Sequence, residues 1–330
     1  MNTFAFGLVG FMLAMYVVLD GYDLGVAAIT PLIARTSAER EATMSAIRPF
    51  RDGNEVWLIA AGGALFALFP KAYASSFSGF YLPFMVVLWL LMFRGIAMEL
   101  RNHFASPIWH DFWDFCFAGS SALLIGLLGV AMGNLIRGLP LDANGYFTGT
   151  FGFLLNPYAV LVGVLALSAL AMHGGIYLTR RLEGPLADRT RKLLGRLIPL
   201  EFFLYVVTTV ATALTVSTAV QTWWGVFPLM SLLALGAVLM CTGGANPRGA
   251  FLASSAYLVS LLAAAAAAMY PFLLPGFPVR AQGLSIDASA PSPVAITSAL
   301  IAVVTGVCVV IAYRTAVGRA LHQHIVVGRD

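Results

Sequence analysis

Residues 4–33 read FAFGLVGFMLAMYVVLDGYDLGVAAITPLI, an apolar run broken by only two charges, Asp20 and Asp23. A helix rises about 1.5 Å per residue, so roughly 20 such residues cross a bilayer. The run shows no alternation of the kind a membrane strand needs. No basic stretch precedes it, and it is too long for the apolar core of a cleaved leader, so it reads as a retained first membrane helix.

The rest of the chain repeats this character. Of 330 residues, 60% are apolar and only 10% are charged, with a mean hydropathy of +0.87. Soluble domains carry about 25% charged residues. The composition excludes an ordinary cytosolic enzyme, a disordered chain and a nucleic-acid binder. Nine membrane helices would take about 190 residues, close to the whole apolar content, which leaves little chain for any soluble domain. Nine hydrophobic segments can be drawn: 4–33, 53–70, 75–100, 112–136, 157–179, 197–221, 225–243, 249–270 and 294–316. Gln221, Thr222, Trp223 and Trp224 separate the sixth from the seventh as an interfacial turn with aromatic anchors.

The basic residues orient these spans. One side receives 15 of them: Arg35, Arg40, Arg48, Arg51, Arg101, Arg180, Arg181, Arg189, Arg191, Lys192, Arg196, Arg248, Arg314, Arg319 and Arg329. The other receives Lys71, Arg137 and Arg280, and Arg94 lies inside the third span. The positive-inside rule then predicts one integral membrane domain over 1–330 with a periplasmic N-terminus and a cytoplasmic C-terminus. The longer loops, 137–156 and 271–293, fall on the periplasmic side. The net charge of +4 and pI of 9.1 follow from basic loops beside a membrane.

Ionisable residues inside a membrane are costly and mark candidate sites. Asp20 and Asp23 are three apart, on one helix face, roughly 25 Å from the outer end of the first helix. They read either as carboxylates capped where the helix breaks at Gly21 and Gly25, or as a proton- or cation-binding pair sharing a proton. The second span opens with Arg51-Asp52-Gly53-Asn54-Glu55-Val56-Trp57. Asp52 fits an N-cap, with Glu55 completing a box three residues on; a carboxylate at that mouth could also receive protons. Gly62-Gly63-Ala64 permits close helix approach. Arg94 and Glu99 are five apart, a poor spacing for a direct pair, so Arg94 is expected to pair with an aspartate of the first or second span. Asp111 and Asp114 read as interface and capping residues of the fourth span. Glu201, with Tyr205 four residues on, reads equally as structural or as part of a proton path.

The histidines and cysteines say little for a cofactor. His103 and His110 fall in a short loop and His322 and His324 in the tail; only His173 lies within a span, beside Gly174 and Gly175. One buried histidine cannot ligate several haems. Cys116, Cys241 and Cys308 show no CxxC or CxxCH spacing. No HExxH, phosphate-binding loop or dinucleotide fingerprint occurs.

The motifs carry a resemblance. Asp20-Gly21-Tyr22-Asp23-Leu24-Gly25-Val26 resembles the DG(F/Y)D-(L/M)-GV element of subunit II of cytochrome bd-type quinol oxidases. RDGNEVWLIAAGGALFALFP, residues 51–70, is similar to that family's (W)DGN-(E/Q)-VWLI-x-AGGA run. Matches continue through Tyr73-Ala74, Phe77–Tyr81, Arg94, Gly133-Asn134-Leu135, Tyr146–Gly149, Leu154–Pro157 and Asp287-Ala288-Ser289, so the resemblance reaches nearly the whole chain. It departs at Tyr22, where Phe is commoner, and at Arg51, where Trp is common.

The resemblance implies nine helices arranged as two four-helix bundles plus one peripheral helix, in a bacterial inner membrane. It implies a haem-free chain paired with a subunit I that bears the quinol site and haems b558, b595 and d. Together they would oxidise membrane quinol and reduce oxygen to water, while the chain alone would not be catalytic. By motif, Asp20, Asp23, Asp52 and Glu55 would form a proton path from the cytoplasm, Arg94 and Glu99 would balance charge, and Asn54 and Trp57 would lie near the partner's haems. Some members hold a structural quinone, and small single-span accessory subunits are compatible with the architecture. The alternative reading is a proton-coupled transporter that uses the same aspartates at a broken helix; a third is a scaffold whose buried charges only set register.

Overall fold

The computed structural model describes residues 1–216, 225–244 and 246–320. The interfacial turn expected at Gln221–Trp224 and the tail histidines His322 and His324 lie outside the described residues. The helices are α1 (Asn2–Ile33), α2 (Ser37–Ile47), α3 (Arg51–Leu68), α4 (Pro70–Gly79), α5 (Tyr81–Leu100), α6 (Pro107–Arg137), α7 (Phe151–Leu154), α8 (Pro157–Leu178), α9 (Gly184–Thr215), α10 (Val226–Gly243), α11 (Pro247–Met269), α12 (Ile286–Ser289) and α13 (Pro293–Ala320). A two-stranded antiparallel ribbon, β1 (Phe272–Leu274) with β2 (Leu284–Ser285), precedes α12.

Among the described residues, eight helices are long and apolar enough to cross a membrane: α1, α5, α6, α8, α9, α10, α11 and α13. The second expected span, α3, has 18 residues and carries Arg51, Asp52 and Glu55 in its first turns, so it is apolar only beyond them. α1, α3, α5 and α6 form one group, α8 to α11 a second, and α13 lies outside against α3. The groups meet where α8 packs on α1 and α6.

Small residues make that seam. A β-carbon on Gly25 would lie 1.8 Å from the carbonyl oxygen of Leu170, and one on Gly174 would lie 2.3 Å from the amide of Val26. The backbones of α1 and α8 therefore touch, as glycine in membrane helices allows. α1 runs unbroken through Gly21 and Gly25, which corrects the expected break: these glycines serve packing, not unwinding. Gly62 and Gly63 also differ from expectation, because a β-carbon on either would meet nothing within 4 Å. No backbone approaches them, and Gly63 lines a gap between α3 and α13.

Several boundaries shift for local reasons. α9 begins at Gly184, well before the apolar run at 197, because its charged first turns stay outside the apolar stretch but remain helical. The segment 75–100 divides at Phe80 into α4 and α5. The sequence reading missed α2, which starts with a complete capping box: Thr36 accepts from the Glu39 amide and Glu39 accepts from the Thr36 amide.

The two ends of the bundle differ. At one end the long loops close over each other: the Leu139 amide donates to the Pro275 oxygen (2.8 Å), the Phe277 amide donates to the Leu139 oxygen (2.9 Å), and the Arg137 guanidinium lies 4.4 Å from the Phe277 ring. At the other end, α2 is bound by charge. Arg101 is buried and binds Asp114 (2.6 Å) and Glu41 (3.1 Å), Arg40 binds Asp111 (2.6 Å) and Asp114 (3.0 Å), and Arg189 binds Glu39 and the Ile33 oxygen. Asp111 and Asp114 thus anchor α2 to α6 rather than cap α6, whose N-cap position is Ser106.

Candidate functional site

The buried charges converge where α1, α3 and α5 meet. Asp20 is fully buried and Arg94 is 1% exposed. Arg94 donates to both Asp20 oxygens, through Nη2 at 2.8 Å and Nη1 at 3.3 Å, and Nη2 also reaches Glu55 Oε1. One guanidinium from α5 is therefore shared by a carboxylate of α1 and one of α3. Tyr16, one turn before Asp20, also lies within its electrostatic reach. Buried charge is tolerable only when paired and hydrogen-bonded. The pairing expected for Arg94 is met by the aspartate of the first span.

Asp23 faces a different neighbour. Its Oδ2 accepts from Asn54 Nδ2 at 2.7 Å, and the same nitrogen lies 2.8 Å from Tyr22 Oη and 3.0 Å from the Leu19 oxygen. An amide nitrogen has two hydrogens, so three acceptors compete for them and hold α3 tightly to α1. Asp20 and Asp23 thus have different hydrogen-bond donors, the Arg94 guanidinium for one and the Asn54 amide for the other. Tyr22 continues the layer, stacking on Tyr177 with ring centroids 4.2 Å apart.

The other residues marked by sequence scatter. Asp52 is 88% exposed, pairs with Arg51 at 3.2 Å, and does not cap α3, whose N-cap position is Phe50. Glu99 is exposed on α5 and forms no ion pair among the described residues. Trp57 is buried against Phe11, and its indole N–H has no acceptor among the described residues.

Two further polar sites lie around α8. His173 is fully buried; Nε2 is 3.0 Å from the Val18 oxygen and Nδ1 is 2.7 Å from Ser254 Oγ. The Val18 carbonyl can only accept, so Nε2 carries the hydrogen; in the neutral ring Nδ1 is then the acceptor, and it shares the Ser254 hydroxyl with the Phe251 oxygen at 3.0 Å. With both nitrogens engaged and Phe251 stacked on the ring at 4.9 Å, the residue does not fit a haem ligand. Glu201 is buried in α9 and accepts from the Tyr257 hydroxyl at 2.5 Å. Tyr205, the partner suggested by spacing, instead donates to the Pro228 oxygen. The Tyr257 contact is 56 residues away in sequence, and no local pattern announces it.

Fold and site together define a polytopic helical membrane subunit with a buried three-helix ion-pair site. The chain belongs to the cytochrome bd terminal oxidase subunit II family, whose model matches residues 1–320. It is 35% identical to the Haemophilus influenzae protein named "Probable cytochrome oxidase subunit 2", over 92% of this chain and 89% of that one. It is 41% identical to the Escherichia coli K12 "Cytochrome bd-I ubiquinol oxidase subunit 2", over 56% of this chain and about half of that protein's length (50%). In fold it is similar to a chain of the bd oxidase structure from Geobacillus thermodenitrificans, with a TM-score of 0.77 at 15% identity, covering 97% of this chain and 98% of that one.

Proposed function

We propose that this chain is the haem-free half of a bacterial inner-membrane quinol oxidase. It pairs with and stabilises a haem-bearing subunit I, and its carboxylates lead protons from the cytoplasm towards the partner's oxygen-reducing centre. The observation that carries this reading is the placement of Glu55. Its side chain is 32% exposed, on a helix whose neighbouring Val56, Ile59 and Phe66 are bare apolar side chains. In an isolated chain this carboxylate would face hydrocarbon, which is costly. A partner covering α3, and the equally bare Trp89 and Phe93 of α5, removes that cost. Trp57 and Asn54 then sit behind the shared face.

The charge arithmetic suits proton handling. Asp20 and Glu55 share one guanidinium, so the ionised cluster carries one negative charge and a single proton neutralises it. Asp52, exposed beside Arg51 at the start of α3, serves in this reading as the entry from water. The bias of basic residues puts that end in the cytoplasm and the interlocked loops in the periplasm. A structural quinone also has room: an apolar cavity of about 240 Å³ lies among Leu13, Tyr16, Val17, Leu128, Tyr158 and Thr208, and the buried Thr208 hydroxyl there has no partner among the described residues.

The test begins with a reduced-minus-oxidised spectrum of what co-purifies with the chain. Haem b and d bands with a second large subunit are expected; an intact chain isolated alone and haem-free overturns the pairing. In the assembled complex, Glu55→Gln keeps an acceptor for Arg94 but cannot carry a proton. It should leave haem content intact and slow quinol-driven oxygen uptake at least tenfold, the lower range for loss of a positioned proton-transfer group being about 100-fold. Full turnover would remove Glu55 from the path.

A further inference from the structure

The arginine-rich end is not uniform. Arg40, Arg48, Arg51, Arg101, Arg189 and Arg191 each meet a carboxylate. Arg180, Arg181 and Arg248 are exposed and form no ion pair among the described residues. The first two are nonetheless held in place by aromatic rings. The Arg180 guanidinium lies 4.8 Å from the centroid of the Phe251 ring, and that of Arg181 lies 5.4 Å from Phe50 and 5.6 Å from Tyr177. Burial first, then the charges of Arg181 and Arg248, pull the Arg180 guanidinium below its ordinary value. Three like charges are thus gathered with no ion pair among the described residues, an arrangement that favours an external anion.

Their position says which anion. Arg180 and Arg181 follow the last turn of α8, and Arg248 sits in the first turn of α11, two apolar helices long enough to span a membrane. Arg248, Leu252 and Val259 occupy one face of α11 by spacing. Leu252 and Val259 are 70% and 45% exposed, so an apolar stripe runs from the charges into the membrane. We propose that Arg180, Arg181 and Arg248 hold the headgroup phosphate of an anionic phospholipid whose acyl chains lie along α11. This requires only that α8 and α11 span the membrane, not the proton path or the sidedness.

The two-subunit complex, delipidated in detergent, is titrated with phosphatidylglycerol and followed by native mass spectrometry. Saturable binding is expected, with Arg180→Gln and Arg248→Gln each weakening it about fivefold, the worth of one surface arginine at an anionic membrane. Phosphatidylcholine should bind no better to the parent than to the variants. Arg35→Gln, an equal loss of charge at an exposed arginine of the same end, is the control. If it weakens binding as much, the attraction is diffuse and the site is refuted. Competition by millimolar inorganic phosphate would make this a free-anion site and also refute the proposal. Because the variants lie on different helices, misfolding of one leaves the other to decide.

Discussion

Replacing Arg94 by methionine tests the central site most directly. The guanidinium is the sole cation within the cluster, bonded to Asp20 at 2.8 Å and to Glu55. Its removal leaves two carboxylates facing each other, one fully buried. Breaking a buried pair in this way costs about 3–5 kcal/mol. Asp20→Asn is the informative contrast. It keeps the volume, and Arg94 retains Glu55 as counter-charge, so the loss is that of one charge-assisted bond, about 1.5–3 kcal/mol. In the double variant Arg94→Met/Asp20→Asn only Glu55 remains charged, and it is partly open. The double variant should therefore recover about 2 kcal/mol of the Arg94→Met loss, within the range for residues in direct contact. The assay is equilibrium unfolding of the purified complex in mixed micelles, with the half-life of haem retention on heating as a second readout. An Arg94→Met variant no worse than Asp20→Asn, or a double variant as poor as the two single losses added, would refute a shared-guanidinium site.

Two other perturbations address the frame. Gly174→Ala puts a methyl 2.3 Å from the Val26 amide and 2.5 Å from the Gly25 carbonyl carbon, so α1 and α8 must part, at a cost of about 1–3 kcal/mol or more; assembly yield should fall sharply, and an unchanged yield would refute the backbone contact. At the α2 anchor, the Arg35 amide first, and then Arg189, hold the Glu39 carboxyl below its ordinary 4.5. A lowered carboxylate stabilises the fold above its ordinary value and loses that contribution as pH falls through the lowered one. Hydrogen exchange in residues 37–47 should accordingly rise below pH 4 and be insensitive to that acidification in Glu39→Gln; protection that falls equally in both would place the sensitivity elsewhere.

Much of this was legible in the chain itself. Hydropathy marked out the long apolar helices, because a bilayer imposes a minimum length on every spanning segment. The DGYDLGV and DGNEVWLI runs pointed to the family, and burial logic alone anticipated that Arg94 would take an aspartate. The limits were equally physical. Spacing of three put Asp20 and Asp23 on one face, but a buried face is wide enough to meet two neighbours, and α5 and α3 take one carboxylate each. The glycine runs at 21–25 and 62–63 look alike in sequence; only the first has a neighbouring helix in close contact, and α13 stays beyond 4 Å of the second. Asp52 reads as a cap and proves to be an exposed partner of Arg51. The sequence by itself determined what must be buried in a membrane and which residues are too charged to be there by accident. The tertiary structure alone decided which of them meet: Arg94 joins residues 74 and 39 positions away, and a contact across three helices depends on how they pack, not on any local period.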